Sequence, residues 1–316
     1  MGNRTILGGK KMKKSTILKG VGLYGMLAGV AAYKFFSYTV KRREDDGKLN
    51  PSNPYIKLIK EKSEWLDQQK TEKVSILSFD GLKLKGIFLP AEQKTDKIIL
   101  AVHGFRVNAM KDFAGLVYFY HQQGYHVLLV DDRAHGASEG KYIGFGCLDR
   151  EDCYRWIHYL DQRFQGKCSI FLHGISMGAA TVLMTSSMNL PRSVKGIIAD
   201  CPYTSIWEEF CYLTEREKKS WLIMYPIMKL AGKICKVAAG YEYDEISSAE
   251  EVKDTKIPIL LIHGKEDRFV PPSMSEKIYN NCVSEKKLLI VPNAKHAESY
   301  YVAKEKYEES ILNFIK

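Results

Sequence analysis

The sequence predicts an α/β protein built on a doubly wound, mostly parallel sheet, with a helical cap insertion and an N-terminal transmembrane helix. Three observations predict this. Short continuous apolar runs such as Ile98–Val102, Ser169–Leu172 and Ile259–Ile262 read as strands covered on both faces. Between them lie amphipathic stretches of helical period, which is the alternation that specifies a parallel sheet. Ahead of them, Thr16–Val40 is apolar apart from Lys19 and Lys34 near its ends, and roughly 20 apolar residues suffice to span a bilayer.

The length of 316 residues accommodates one large domain plus an N-terminal extension. We divide the chain into a membrane anchor (1–42), a linker and short helix (43–70) and the main domain (71–316), with the cap at about 203–243. The apolar N-terminal run has three readings. A signal anchor is preferred; a cleaved signal peptide, with Gly29-Val30-Ala31 as its cleavage site, is second; a buried core helix is third. The preceding Lys10, Lys11, Lys13 and Lys14 suit an anionic membrane face. Their slight excess over Lys41, Arg42, Arg43 and Lys48 orients the N-terminus inside the cell, with the catalytic domain extracellular and the protein at the cell membrane.

Along the main domain, Val74–Phe79 and Leu82–Leu89 flank the hairpin signal Asp80-Gly81. Ile98–Val102 is the next strand, Ala109–Gln123 a helix, Val127–Val130 a strand and Leu148–Phe164 a helix. Ser169–Leu172 is followed at once by the helix Met177–Met188. Val194–Ala199, Ile259–Ile262 and Leu288–Val291 complete the strands, and Glu298–Ile315 is helical. No strand is evident between Asp200 and Lys256. There Tyr203–Tyr241 is helical and rich in aromatics, as expected of a cap covering an apolar surface.

The net charge of +10 is spread over the chain, with no nucleic-acid motif, so nucleic acid is excluded as a partner. Seven cysteines without a CxxC pair exclude a disulfide framework or zinc site, and no cofactor is implied.

The chemistry is read from Gly174-Ile175-Ser176-Met177-Gly178. A GxSxG between a strand and a helix forms a sharp turn that lifts its serine to the edge of the sheet, beside an unpaired helix N-terminal N–H. Ser176 is therefore the candidate nucleophile. The Met177 N–H and, from the loop after Ile98–Val102, the Phe105 N–H are the candidate oxyanion donors. A serine hydroxyl needs a base, and His296, after the last strand, is placed to serve; His121, His126 and His158 lie within elements and are structural. Asp267, just past Ile259–Ile262, is the carboxylate to orient it, with Glu266 and Asp254 as rivals.

With these residues in order, the region from Val74 onward resembles the α/β-hydrolase superfamily. Asp132-Arg133-Ala134-His135-Gly136-Ala137-Ser138 is similar to its D-R-x-H-G-x-S segment, Gly264…Asp267-Arg268-Phe269-Val270-Pro271 to its acid motif, and Lys295-His296 to its histidine loop. Ala134 stands where many relatives carry glycine. The closest subgroup is bacterial esterase- and peptidase-like hydrolases with a short N-terminal anchor. The resemblance implies Ser176, His296 and Asp267 as triad, with Phe105 and Met177 as oxyanion donors. The expected activity is hydrolysis of an ester-type acyl bond through an acyl-enzyme, as in a carboxylesterase, on a small-molecule ester or peptide-like substrate. The alternatives are a serine peptidase or amidase, and a non-catalytic membrane-tethered binding protein.

Overall fold

In the computed structural model, which describes residues 14–44, 46–47 and 53–316, one eight-stranded sheet organises the domain. Its strands are β1 (Glu72–Leu77), β2 (Lys83–Leu89), β3 (Lys97–Val102), β4 (His126–Asp131), β5 (Ser169–Ile175), β6 (Val194–Asp200), β7 (Ile259–Gly264) and β8 (Lys286–Val291), in spatial order β1-β2-β4-β3-β5-β6-β7-β8. β2 runs antiparallel to both its neighbours, β1 and β4, and β3 through β8 are parallel to one another. The helices are α1 (Lys14–Val40), α2 (Ile56–Asp67), α3 (Ala109–Asp112), α4 (Ala114–Gln122), α5 (Asp149–Arg163), α6 (Met177–Thr185), α7 (Ile206–Arg216), α8 (Trp221–Ala239), α9 (Ser248–Glu251), α10 (Pro272–Asn281), α11 (Ser299–Val302) and α12 (Lys304–Phe314).

The central strands are apolar on both faces because both faces are covered. Leu100, Leu172 and Leu261 lie in one core with Trp156 and Leu183, while Ile99, Phe171 and Ile262 lie in the other with Phe113 and Tyr307. Each such burial stabilises the fold by roughly 1.5–3 kcal/mol. Parallel strands carry one consequence for function: the loops after β3, β5, β7 and β8 all emerge at the same edge of the sheet.

The expected elements appear, with shifts at their ends. The first hairpin closes through Ser78–Leu82, with Gly81 at φ +88°, which glycine adopts without strain. The helix expected over 109–123 is two helices that break at Phe113, and the C-terminal one breaks at Ala303. The aromatic segment between β6 and β7 is a helical pair, α7 and α8.

The expected N-terminal transmembrane helix is not supported. Among the described residues no helix is long and apolar enough to cross a membrane. A helix does form there, but its C-terminal half is part of the domain: Ala32, Phe36 and Val40 are buried in a core shared with Met177, Phe210 and Met228. Its end is clamped as well. The Arg106 guanidinium donates to the carbonyls of Tyr38, Thr39 and Lys41, neutralising the helix C-terminus, and pairs with Asp46. Arg42 donates to the carbonyls of Gly136 and Ser138. The C-terminal half of this helix spends one face on protein packing. Lys10, Lys11 and Lys13 lie outside the described residues.

Candidate functional site

The Gly174–Gly178 segment makes the turn its glycines anticipate. Ser176 takes φ +53°, ψ −112°, a conformation that costs a non-glycine residue about 1–3 kcal/mol and is held by its surroundings. Its N–H donates to the Asp200 carbonyl at 2.8 Å. A Cβ on Gly174 would strike the Gly178 carbonyl, and one on Gly178 would strike that of Val102, so neither position admits a side chain. Ser176 follows β5 directly and is the N-cap of α6, and Met177 is the first residue of that helix, where an N–H has no intrahelical acceptor.

The structure brings three of the sequence-predicted side chains together. Ser176 Oγ lies 2.9 Å from His296 Nε2, and His296 Nδ1 lies 2.7 Å from Asp267 Oδ2. Asp267 is fully engaged: Oδ1 accepts the N–H groups of Phe269 (2.8 Å) and Val270 (2.9 Å), and His263 Nε2 stands 3.3 Å from Oδ2. Burial by itself would raise this carboxyl, but the hydrogen bonds from His263 and His296 outweigh it and hold the pKa below the usual carboxylate range. The rival carboxylates Glu266 and Asp254 make no hydrogen bond to His296. With Asp267 ionised at Nδ1, His296 carries its proton on Nδ1 and offers Nε2 to the serine as an acceptor.

Phe105 follows β3 between two tied neighbours. The Gly104 N–H donates to Asp112 Oδ2 (2.8 Å) and the Arg106 N–H to His135 Nε2 (3.1 Å), while the Phe105 N–H makes no hydrogen bond to any described residue. His103 is structural: Nε2 accepts the Asp132 N–H, so Nδ1 donates to the Gly104 carbonyl. A cleft of about 280 Å³ opens over Ser176, walled by Phe105, Val107, Ile175, Phe269 and Ala297 beside His296. It shares Asp112 and His296 with a neighbouring cavity of about 420 Å³ lined by Tyr55, Asp200 and Tyr301.

Several residues near the site carry no signal in the sequence. His263, at the end of β7, supports Asp267. Asp112 fixes the loop that carries Phe105. Beneath the elbow, Tyr307 donates to Asp200 Oδ2 (2.9 Å), so it accepts from His173 Nε2 (3.2 Å), whose Nδ1 accepts from Tyr120 (2.8 Å). Burial pushes His173 down to about 3, which keeps it neutral in this chain of bonds. Glu209 of α7 is buried with neither oxygen bonded to a described residue; burial, then the charge of Asp267, pushes it up to about 8. Cys201 Sγ lies within 4.8 Å of ligand atoms of Asp267 and His296. Burial raises that thiol well above its usual range, and Asp267 is already saturated, so the trio does not suit a metal.

Residues 93–298 match the family described as serine aminopeptidase, S33. The chain belongs to that family and has the α/β-hydrolase fold. It is 28% identical over 252 residues to the uncharacterized protein YqkD of Bacillus subtilis, covering 80% of this chain and 81% of that one. The lysophosphatidylserine lipase ABHD12 of Danio rerio is 26% identical over 206 residues, 62% of this chain and 50% of its own. Among solved structures, the Pyrococcus furiosus esterase Pf2001 superposes with a TM-score of 0.65 at 21% identity, covering 87% of this chain and 97% of that one. The family is one of hydrolases, and the solved structure shares the fold.

The loop Asp132–Ser138 is structural. Arg133 pairs with Asp152 (2.6 Å) and Asp80 (3.1 Å) beneath the sheet edge. Ala134 sits at φ +60°, which is why glycine suits this position.

Proposed function

We propose that the chain is a serine hydrolase that cleaves carboxylic esters through an acyl-enzyme. The observation that carries this reading is the unbroken hydrogen-bond chain from Ser176 through His296 to Asp267, with distances of 2.9 and 2.7 Å. Ser176 Oγ attacks the carbonyl carbon as His296 Nε2 takes its proton, and the ionised Asp267 stabilises the imidazolium that forms. The carbonyl oxygen becomes an oxyanion that accepts from the Phe105 and Met177 N–H groups. Collapse expels the alcohol, which takes the proton from His296, and leaves the acyl group on Ser176. Water, deprotonated by His296, then attacks the acyl-enzyme, and the acid is released with Ser176 restored.

The apolar walls Phe105, Val107, Ile175 and Phe269 suit an aliphatic or aromatic acyl group. The name of the lipase relative supports a lipid-like ester within that class. The family description favours a second reading on the same residues, amide cleavage with an amine as leaving group. Ser176→Ala is expected to lower kcat for a short p-nitrophenyl ester by about 10⁶-fold while circular dichroism stays unchanged. Undiminished turnover would remove Ser176 from the mechanism. Faster turnover of an aminoacyl p-nitroanilide than of the ester would select the second reading. If a fluorophosphonate probe leaves the wild type unlabelled, the chain is a binding protein instead.

A further inference from the structure

Helices α1 and α8 end at the same place. The Ile143 N–H donates to the Val40 carbonyl at 2.8 Å, and the hydroxyl of Tyr241, the residue after the Gly240 cap of α8, donates to the Ile143 carbonyl at 2.6 Å. The two helices pack side by side, with Ala32, Phe36 and Val40 of one and Met228, Ala231 and Cys235 of the other in a common core. They therefore run parallel. At 1.5 Å per residue, Met26 lies about 21 Å and Leu222 about 27 Å from the shared end, so their N-terminal parts project together.

That projecting end is apolar and exposed. Met26, Leu27 and Val30 on α1, and Trp221, Leu222 and Ile223 on α8, all face out, with Leu222 85% exposed and Met26 68%. The two helices themselves carry charge of one sign. Lys34 of α1 and Lys229, Lys233 and Lys236 of α8 are accompanied by no acidic residue in either helix. The α8 lysines are neutralised by Asp244, Glu242 and Glu245, whereas Lys34 and the exposed Lys218 and Lys219, just before Trp221, form no ion pair with any described residue. In the turn 215–219, Glu217 is paired with Arg216, and the exposed Glu215 forms no ion pair with any described residue, so the turn keeps a net charge of +1.

We propose that this α1–α8 face docks on an anionic lipid surface, with its apolar tip in the headgroup region and Lys34, Lys218 and Lys219 against the lipid phosphates. Apolar side chains and a tryptophan framed by lysines are the pattern of helices that lie in a membrane interface. The buried faces of both helices stay in the protein, so the contact is in the plane of the membrane and does not cross it. The docked layer reaches the site through a run of aromatic rings: Phe35 to Phe210 (5.1 Å), Phe210 to Phe145 (6.1 Å) and Phe145 to Phe105 (5.1 Å). This inference is independent of the hydrolytic reading.

The test is cosedimentation of the full chain with vesicles of phosphatidylglycerol and phosphatidylcholine, beside pure phosphatidylcholine. Binding to the anionic vesicles alone, released by high salt or alkaline carbonate, is the expected result. K34Q/K218Q/K219Q should weaken that partitioning about a hundredfold, from about 1 kcal/mol per basic residue. L27S/L222S/I223S should abolish it. Both variants should keep wild-type circular dichroism and fluorophosphonate labelling. Failure to bind anionic vesicles, equal binding by the variants, resistance to carbonate extraction, or a dimer in solution that L222S dissociates would each overturn the proposal.

Discussion

Two buried carboxylates, one on a loop and one on a helix, feel each other's charge yet behave in opposite ways. Asp267, on the loop after β7, receives two backbone N–H groups and two imidazoles, and its pKa falls. Glu209, on α7 of the helical layer, receives no hydrogen bond from the described residues, and its pKa rises to about 8. Burial disfavours the charge in both. The number of donors decides which group stays ionised. The loop can supply donors because its backbone is not committed to regular structure; the N–H groups of a helix are already spent on its own carbonyls. The charge that faces His296 accordingly sits on a loop and the neutral acid on a helix.

The largest effect that would break this comparison is at Asp267. Asp267→Asn should lower kcat for ester hydrolysis by about 10⁴-fold, because an amide donor at Oδ2 favours the wrong tautomer of His296. A loss below tenfold in steady-state assays would remove Asp267 from the orienting role. Next comes Asp112, whose carboxylate holds the Gly104 N–H. Asp112→Asn weakens a charge-assisted hydrogen bond by about 1.5–3 kcal/mol, so kcat should fall by about tenfold to a hundredfold with KM little changed. An unchanged kcat would show that the Phe105 loop keeps its position without it.

The smallest effect on activity, and an opposite one on stability, is expected at Glu209. Its folded-state pKa is raised, so its ionisation costs nothing below pH about 4.5, and the cost grows as pH rises toward 8. Glu209→Gln should therefore stabilise the fold at pH 8 by on the order of 2–3 kcal/mol, raising Tm by several degrees, and change kcat less than about threefold. The stabilisation should vanish at pH 4. Thermal melts of the two proteins at both pH values check this, and a variant less stable at pH 8 would mean that Glu209 is charged and paired. Asp267 has the opposite sign. Its folded-state pKa is depressed, so its contribution is present above pH about 4 and is lost only as pH falls through that lower value. Melts of Asp267→Asn should thus show the variant less stable than wild type from pH 5 to 8.

The candidate site was legible wherever a short motif marks it. Gly174, Ser176 and Gly178 stand at fixed spacing because the turn excludes side chains, and Asp267 and His296 follow strands recognisable by their apolar runs. His263, Asp112 and Asp200 were not legible, because each acts through a contact made across the fold with a residue far away in the chain. The helix at 14–40 was legible as a helix but not in its partners. An apolar face bound for lipid and one bound for protein read alike, since both are selected for loss of contact with water.

The order of strands and helices, the strained serine turn and the chain order of Ser176, Asp267 and His296 were determined by the sequence itself, because local sterics and hydrophobic period act over a few residues. The tertiary structure alone decided which face of the first helix is buried, how many donors reach each carboxylate and which histidine supports which acid. Those outcomes depend on the distance between groups remote in sequence, and no local pattern records that distance.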